Sequence, residues 1–158
     1  MFNMLDNYYY RQITNENDFK QIQSRDRTLN KKLTNNLITK LLNEDIECYM
    51  MISDYTILGF FAIKEEHMEL FTKKTYNLIK ILCIHIFKEY RLRGYGTEIL
   101  NDIQWSVKNN NNKSYEYILA NSFVKTAMFF LNNGFDFYKN NKKLDVEEHM
   151  ILMYKKLD

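Results

Sequence analysis

Proline is absent from the 158 residues, glycine occurs only four times and cysteine twice. With no Pro-, Gly- or Ser-rich stretch there is no linker, so residues 1–158 are read as a single domain. Cys48 and Cys83 sit in apolar, strand-like runs without Cys-x-x-Cys spacing. Buried reduced thiols account for them better than a disulfide. The three histidines (His67, His85, His149) are scattered, so no metal site is expected. Met1–Asp6 lack the basic start and apolar core of a signal peptide, and no apolar run approaches the ~20 residues of a membrane span. A cytoplasmic protein with no membrane partner is expected. The excess of basic residues is only +2, too small to argue for nucleic acid. The 12 tyrosines follow strand and helix spacing and are not interleaved with a basic stripe. Core packing explains them better than base stacking.

Hydrophobic residues make up 46% and charged residues 27%, enough for a proper core and a solvated surface. Tyr8–Ile13 reads as a short aromatic strand. Thr14 and Asn15 are placed to cap a helix from Glu16. Leu33, Leu37, Ile38, Leu41 and Leu42 form one stripe at helical spacing, and Ser24–Lys32 between the helices is expected to be irregular. Ile46–Ile52 is a strand closed by a Ser53-Asp54 turn. Tyr55–Lys64 is a second strand, with Gly59 inside it as a bulge candidate, and Met68–Phe71 extends it or starts another. Tyr76–Ile86 is the most apolar stretch and is expected to be a central strand buried on both faces. Ile99, Leu100, Ile103 and Val107 mark the next helix, and Asn109–Asn112 a solvated loop. Tyr115–Ala120 is a strand. Ser122 is expected to cap a helix to Asn132, stopped by Gly134, and the strands Phe135–Tyr138 and His149–Lys155 close the chain. This order predicts an α/β fold: a mixed, mostly antiparallel sheet of about six to seven strands flanked by about four helices.

The most informative segment is Arg91-Leu92-Arg93-Gly94-Tyr95-Gly96, between the buried strand and the amphipathic helix. The first amides of a helix have no internal partners and carry partial positive charge. Glycines let a phosphate approach them, and arginines add fork-shaped donors. A P-loop needs Lys-Ser or Lys-Thr after the second glycine, but Thr97-Glu98 follows. A dinucleotide fingerprint needs a small residue where Ile99 stands. The pattern R/Q-x-x-G-x-G/A is satisfied completely.

That pattern resembles the pyrophosphate-binding motif of the GNAT (Gcn5-related) N-acetyltransferases. Ile57-Leu58-Gly59-Phe60 is similar to a piece of that family's third strand, and Ala127–Phe135 to the segment that closes its cofactor site. The order of elements matches from about Tyr8 to Leu157. The resemblance implies transfer of an acetyl group from acetyl-CoA to a primary amine of a small molecule or protein, by direct attack in a ternary complex. It places the pyrophosphate on Arg91, Leu92, Arg93, Gly94, Tyr95, Gly96 and Thr97. The pantetheine arm falls on Ile84, His85 and Ile86, where the fourth and fifth strands splay, with Asn121 and Phe130 as further cofactor contacts. A backbone N–H near Ile86 is expected to hold the oxyanion. Partners are therefore acetyl-CoA and an amine acceptor, with a homodimer through edge strands as the family often forms.

Departures qualify the chemistry. Lys88 stands where the family often has Pro. Phe130 replaces the aromatic hydroxyl often assigned as acid, and Lys80 falls where the histone enzymes carry a base carboxylate. An alkyl amine with pKa near ~10.4 must lose a proton before attack. His85, at a strand end beside the loop, is the candidate base, weighed against a histidine packed on the sheet. Glu89 and Glu69 are lesser candidates. For the leaving thiolate, Tyr138 and water are equal candidates. Two other readings stand beside the enzyme: a non-catalytic acyl-CoA-binding module, favoured by Phe130, and a structural protein whose glycine turn only caps a helix, disfavoured by Arg91 and Arg93. The basic residues Lys139–Lys143 and Lys155-Lys156 read as a solvated rim that can attract an acidic substrate or the 3′-phosphate of coenzyme A.

Overall fold

The computed structural model describes residues 7–27, 29, 31–43, 46–71, 73–138 and 150–158. Met1–Asp6, Lys139–Lys143, His149 and the side chain of Leu33 lie outside them. The described elements run β1 (Tyr9–Ile13), α1 (Glu16–Arg25), α2 (Lys31–Asn43), β2 (Ile46–Ser53), β3 (Thr56–Glu69), β4 (Thr75–Ile86), α3 (Tyr95–Lys108), β5 (Tyr117–Phe123), α4 (Ala127–Asn132), β6 (Asp136–Phe137) and β7 (Met150–Lys156). The strands form one seven-stranded sheet in the order β1-β2-β3-β4-β5-β7-β6. This is the expected mixed, mostly antiparallel α/β architecture with four helices. No helix among the described residues is long and apolar enough to cross a membrane.

Local chemistry explains the order. The Asn15 side chain accepts from the Asp18 N–H at 3.1 Å and starts α1. β2 and β3 are joined through Asp54 and Tyr55, at φ 46° and 62°; two left-handed residues in sequence suit the twist of a hairpin. Ser53 is both the last residue of β2 and the first of this turn, with Asp54 following it as expected. β4 and β5 are parallel, Leu78 opposite Tyr117 through Ile81 opposite Ala120. A parallel neighbour requires a crossover, and α3 supplies it.

The chain forms two compact units. The first holds residues up to Ile63 together with Ile84–Gly96, the second Lys64–Cys83 with Thr97–Asp158. In the first, Phe19 and Ile22 of α1 are fully buried, with Phe19 edge-on to Phe60 of β3 at 6.3 Å. Cys48 is fully buried here as a free thiol, and burial, aided by neighbouring Glu47, pushes its pKa up to about 12. In the second, Leu70, Leu78, Tyr117, Leu119, Tyr138 and Leu152 cluster as a core. The expected stripe of α3, Ile99, Leu100, Ile103 and Val107, is buried.

Three expectations are corrected. Leu42 is 64% exposed, not part of the buried stripe. β4 is not buried on both faces: Leu78, Ile79 and Ile81 are, but residues 82–86 are only half-buried. Ser122 caps no helix. β5 stays paired to β7 as far as Phe123 opposite Met150, so Ser122 is a strand residue. Its hydroxyl donates to Phe123 O at 2.9 Å and meets Thr126 Oγ1 at 3.0 Å, and a 3-10 turn over Val124–Thr126 precedes α4. Gly59 serves a close approach of main chains: a Cβ there would stand 2.2 Å from the His85 carbonyl oxygen. Gly134, at φ 84°, ends α4 as expected, its N–H donating to Leu131 O at 3.1 Å.

Candidate active site

The first unit gathers the end of β4, the glycine turn and the end of α1. Pairing of β4 with β5 stops at Ile81, while β4 continues to Ile86. Past it, the Phe87 N–H donates to Leu58 O at 2.9 Å, anchoring the strand end on β3. A 3-10 turn, Lys88–Tyr90, follows. Leu92 (φ 62°) and Gly94 (φ 87°) then reverse the main chain, delivering it to the first residue of α3, Tyr95, which is 4% exposed and acts as the anchor. Arg91, Leu92, Arg93 and Gly94 are exposed and Gly96 and Thr97 half-buried. The exposed turn therefore leads directly into the N-terminus of a 14-residue helix, whose dipole favours an anion. Arg91 Nε donates to Ile86 O at 2.8 Å. That bond ties the turn to the strand end and keeps the guanidinium beside both.

His85 Nε2 lies 2.8 Å from Asp26 Oδ2. The side chains are 17% and 9% exposed. Asp26 closes α1, its N–H donating to Ile22 O and its carbonyl accepting from the Leu29 N–H, so its carboxylate has a fixed position. The imidazole sits between the rings of Phe60 (5.6 Å) and Phe87 (5.7 Å). Burial holds the His85 pKa below its ordinary 6.5, outweighing the hydrogen bond and charge of Asp26, which raise it. The ring is therefore neutral at neutral pH. A carboxylate only accepts, so the proton resides on Nε2 and Nδ1 keeps its lone pair. This is a hydrogen-bonded acid–histidine pair: it can take a proton at Nδ1 while the carboxylate steadies the resulting cation. Asp26 was not singled out from the sequence. Nothing in the sequence near it marks it, since its partner is 59 residues away.

Of the remaining candidates, Glu89 belongs to the first unit and the others to the second. Tyr138 is 5% exposed, and its hydroxyl accepts from the Phe71 N–H at 3.2 Å. Its ring packs on Phe71 and Tyr154. These contacts tie Tyr138 to the connection between β3 and β4. Phe130 is buried between Phe129 and Phe135. Asn121 is half-buried on β5 opposite Leu152. Lys155 Nζ donates to Asn133 O at 2.9 Å. Glu89 and Glu69 are exposed. An open cavity of about 510 Å³ in this unit, lined by Lys108, Asn110–Asn112, Tyr115 and Lys156 among others, contains none of the candidate site residues.

Neither a protein-family model nor a curated protein matches the sequence. Solved structures do match. A GNAT-family protein from Desulfovibrio desulfuricans superimposes with a TM-score of 0.70 at 12% identity, over 96% of this chain and 100% of its own. Tetrahymena GCN5 gives 0.66 at 15%, over 95% and 96%. A point mutant of the AtaT toxin, bound to the C-terminus of the antitoxin AtaR and to acetyl-CoA, gives 0.67 at 17%, over 96% and 94%. At these identities the likeness is one of fold.

Proposed function

We propose, from the premise that this chain has the fold of the GNAT acetyltransferases, that it is a cytoplasmic N-acetyltransferase moving an acetyl group from acetyl-CoA to an amine. The observation that carries the reading is the turn Arg91–Gly96. Two left-handed residues and an exposed backbone lead into the N-terminus of a long helix, with Arg91 tied to the strand end. Acetyl-CoA enters as substrate, its pyrophosphate on the amides of Gly94–Thr97 and its pantetheine arm along the backbone of Ile84–Ile86.

The amine attacks the thioester carbonyl, the carbon–sulfur bond breaks, and the products are an amide and the coenzyme thiol. The proton lost by the amine passes to His85 Nδ1, with Asp26 holding the ring by Nε2. A backbone N–H near Ile86 faces the charge that grows on the carbonyl oxygen. The thiolate takes its proton from water: Phe130 has no hydroxyl, and Tyr138 is only 5% exposed. Bringing the two reactants together supplies a large share of the rate. Phe130 also favours a second reading, a module that binds acyl-CoA without turnover.

Thermal unfolding with and without acetyl-CoA tests the assignment. At 100 times its dissociation constant the ligand is expected to stabilise the fold by about 2.7 kcal/mol. Thiol release on adding amines then separates the enzyme from the binding module. No stabilisation at millimolar acetyl-CoA removes both.

A further inference from the structure

Arg25, the last residue of α1, reaches the glycine turn. Its Nη2 donates to the Tyr90 hydroxyl at 3.0 Å. Its guanidinium carbon lies 5.6 Å from the centre of the Phe87 ring and 5.8 Å from that of Tyr90. Arg93 stands on the same tyrosine, 5.7 Å from the ring centre. The fold therefore holds two guanidinium groups on the Tyr90 ring, one of them from a residue 65 positions away. Both side chains are exposed. Among the described residues no carboxylate forms an ion pair with either; the nearby Asp26 is committed to His85. Two cations beside one ring raise the positive potential there, and a bound anion offsets it. Stacking fixes each guanidinium in advance, and its planar fork suits phosphate.

We propose that Arg25 and Arg93, stacked on Tyr90, form a binding site for a phosphomonoester group, distinct from the backbone amides that take the pyrophosphate. The site itself stands on this geometry; only the identity of its ligand rests on the acetyltransferase reading. Two molecules present the required chemistry there: the coenzyme, through its 3′-phosphate, and an acceptor amine that carries a phosphate.

Calorimetric titration of the full chain with 3′-AMP and with adenosine tests the site without turnover. The nucleotide is expected to bind about tenfold or more tightly than the nucleoside. Arg25→Gln and Arg93→Gln each remove that preference, and Arg25→Lys keeps part of it. Both positions are exposed, so melting curves of the variants are expected to match the parent. Equal binding of the two probes, or a preference that survives both glutamine variants, overturns the proposal.

Two further comparisons identify the source. If it is the 3′-phosphate, Arg25→Gln weakens acetyl-CoA and leaves acetyl-dephospho-CoA unchanged. If it is the acceptor, the variant leaves both coenzymes unchanged and lowers kcat/KM for phosphoethanolamine but not for ethanolamine. Where acetyl-CoA binds, a response from neither pair also overturns the proposal. A chain that prefers 3′-AMP yet binds no acetyl-CoA keeps the site and loses the acetyltransferase reading.

Discussion

Replacing Gly59 with alanine is expected to damage both the fold and the site, and the size of the effect can be worked from one contact. A Cβ at Gly59 stands 2.2 Å from the His85 carbonyl oxygen, 2.9 Å from Ile86 Cδ1 and 3.0 Å from Ile86 Cα. Ordinary contact begins at 3.4 Å. The Ile86 methyl can turn aside, but the His85 carbonyl is main chain and moves only with β4. Overpacking costs ~1–3 kcal/mol, and a main-chain obstruction puts Gly59→Ala at the upper end. At ~2–4 °C per kcal/mol for a chain of this length, Tm should fall by ~6–12 °C. The same shift carries His85 from Asp26, so the nitrogen chemical shifts of the imidazole should change with it. Gly134→Ala is the control. Its Cβ meets the flexible end of Lys155 at 3.1 Å, so the cost is that of an alanine at φ 84°, ~1–2 kcal/mol. Melts followed by circular dichroism compare the two. A Gly59→Ala protein that melts no lower than Gly134→Ala refutes the argument, because it shows β3 and β4 yielding freely at this point.

Gly94→Glu should abolish acetyl-CoA binding, since it places a carboxylate where phosphates are proposed to lie and a side chain at φ 87°; retained affinity by calorimetry removes the turn from the mechanism. His85→Ala should lower kcat by ~10²–10⁴-fold with the affinity for acetyl-CoA unchanged, and an unchanged pH–rate profile dismisses His85 as the base. His85 also links stability to pH. Its folded pKa lies below 6.5, so both states are neutral above that pH. As pH falls from there toward the folded pKa, the unfolded chain takes the proton first and stability drops. Urea midpoints at about pH 7.5 and about pH 5.5 should show the loss in the parent chain and a smaller one in His85→Gln; equal losses contradict the burial of this ring.

Local signals were legible because their physics is local. Asn15 caps α1 within its own first turn, Gly134 supplies the left-handed stop after α4, and the stripe from Ile99 to Val107 has a period of its own. The order of such elements was enough for a mixed sheet with four helices, and the glycine turn was visible as a run of six residues. Misreadings came where a distant strand decided the outcome. Ser122 has a capping side chain, but β7 holds it in β5. The sequence does not show that the main chain of β4 comes close to Gly59. By itself the sequence determined the architecture, the glycine turn proposed to meet a phosphate and the presence of a histidine at the end of β4. Only the tertiary structure decided that Asp26 orients that histidine and that Arg25 joins Arg93 on Tyr90. Those contacts join residues 59 and 65 positions apart, and no period or cap encodes a distance of that length; they exist only once α1 is packed on the sheet.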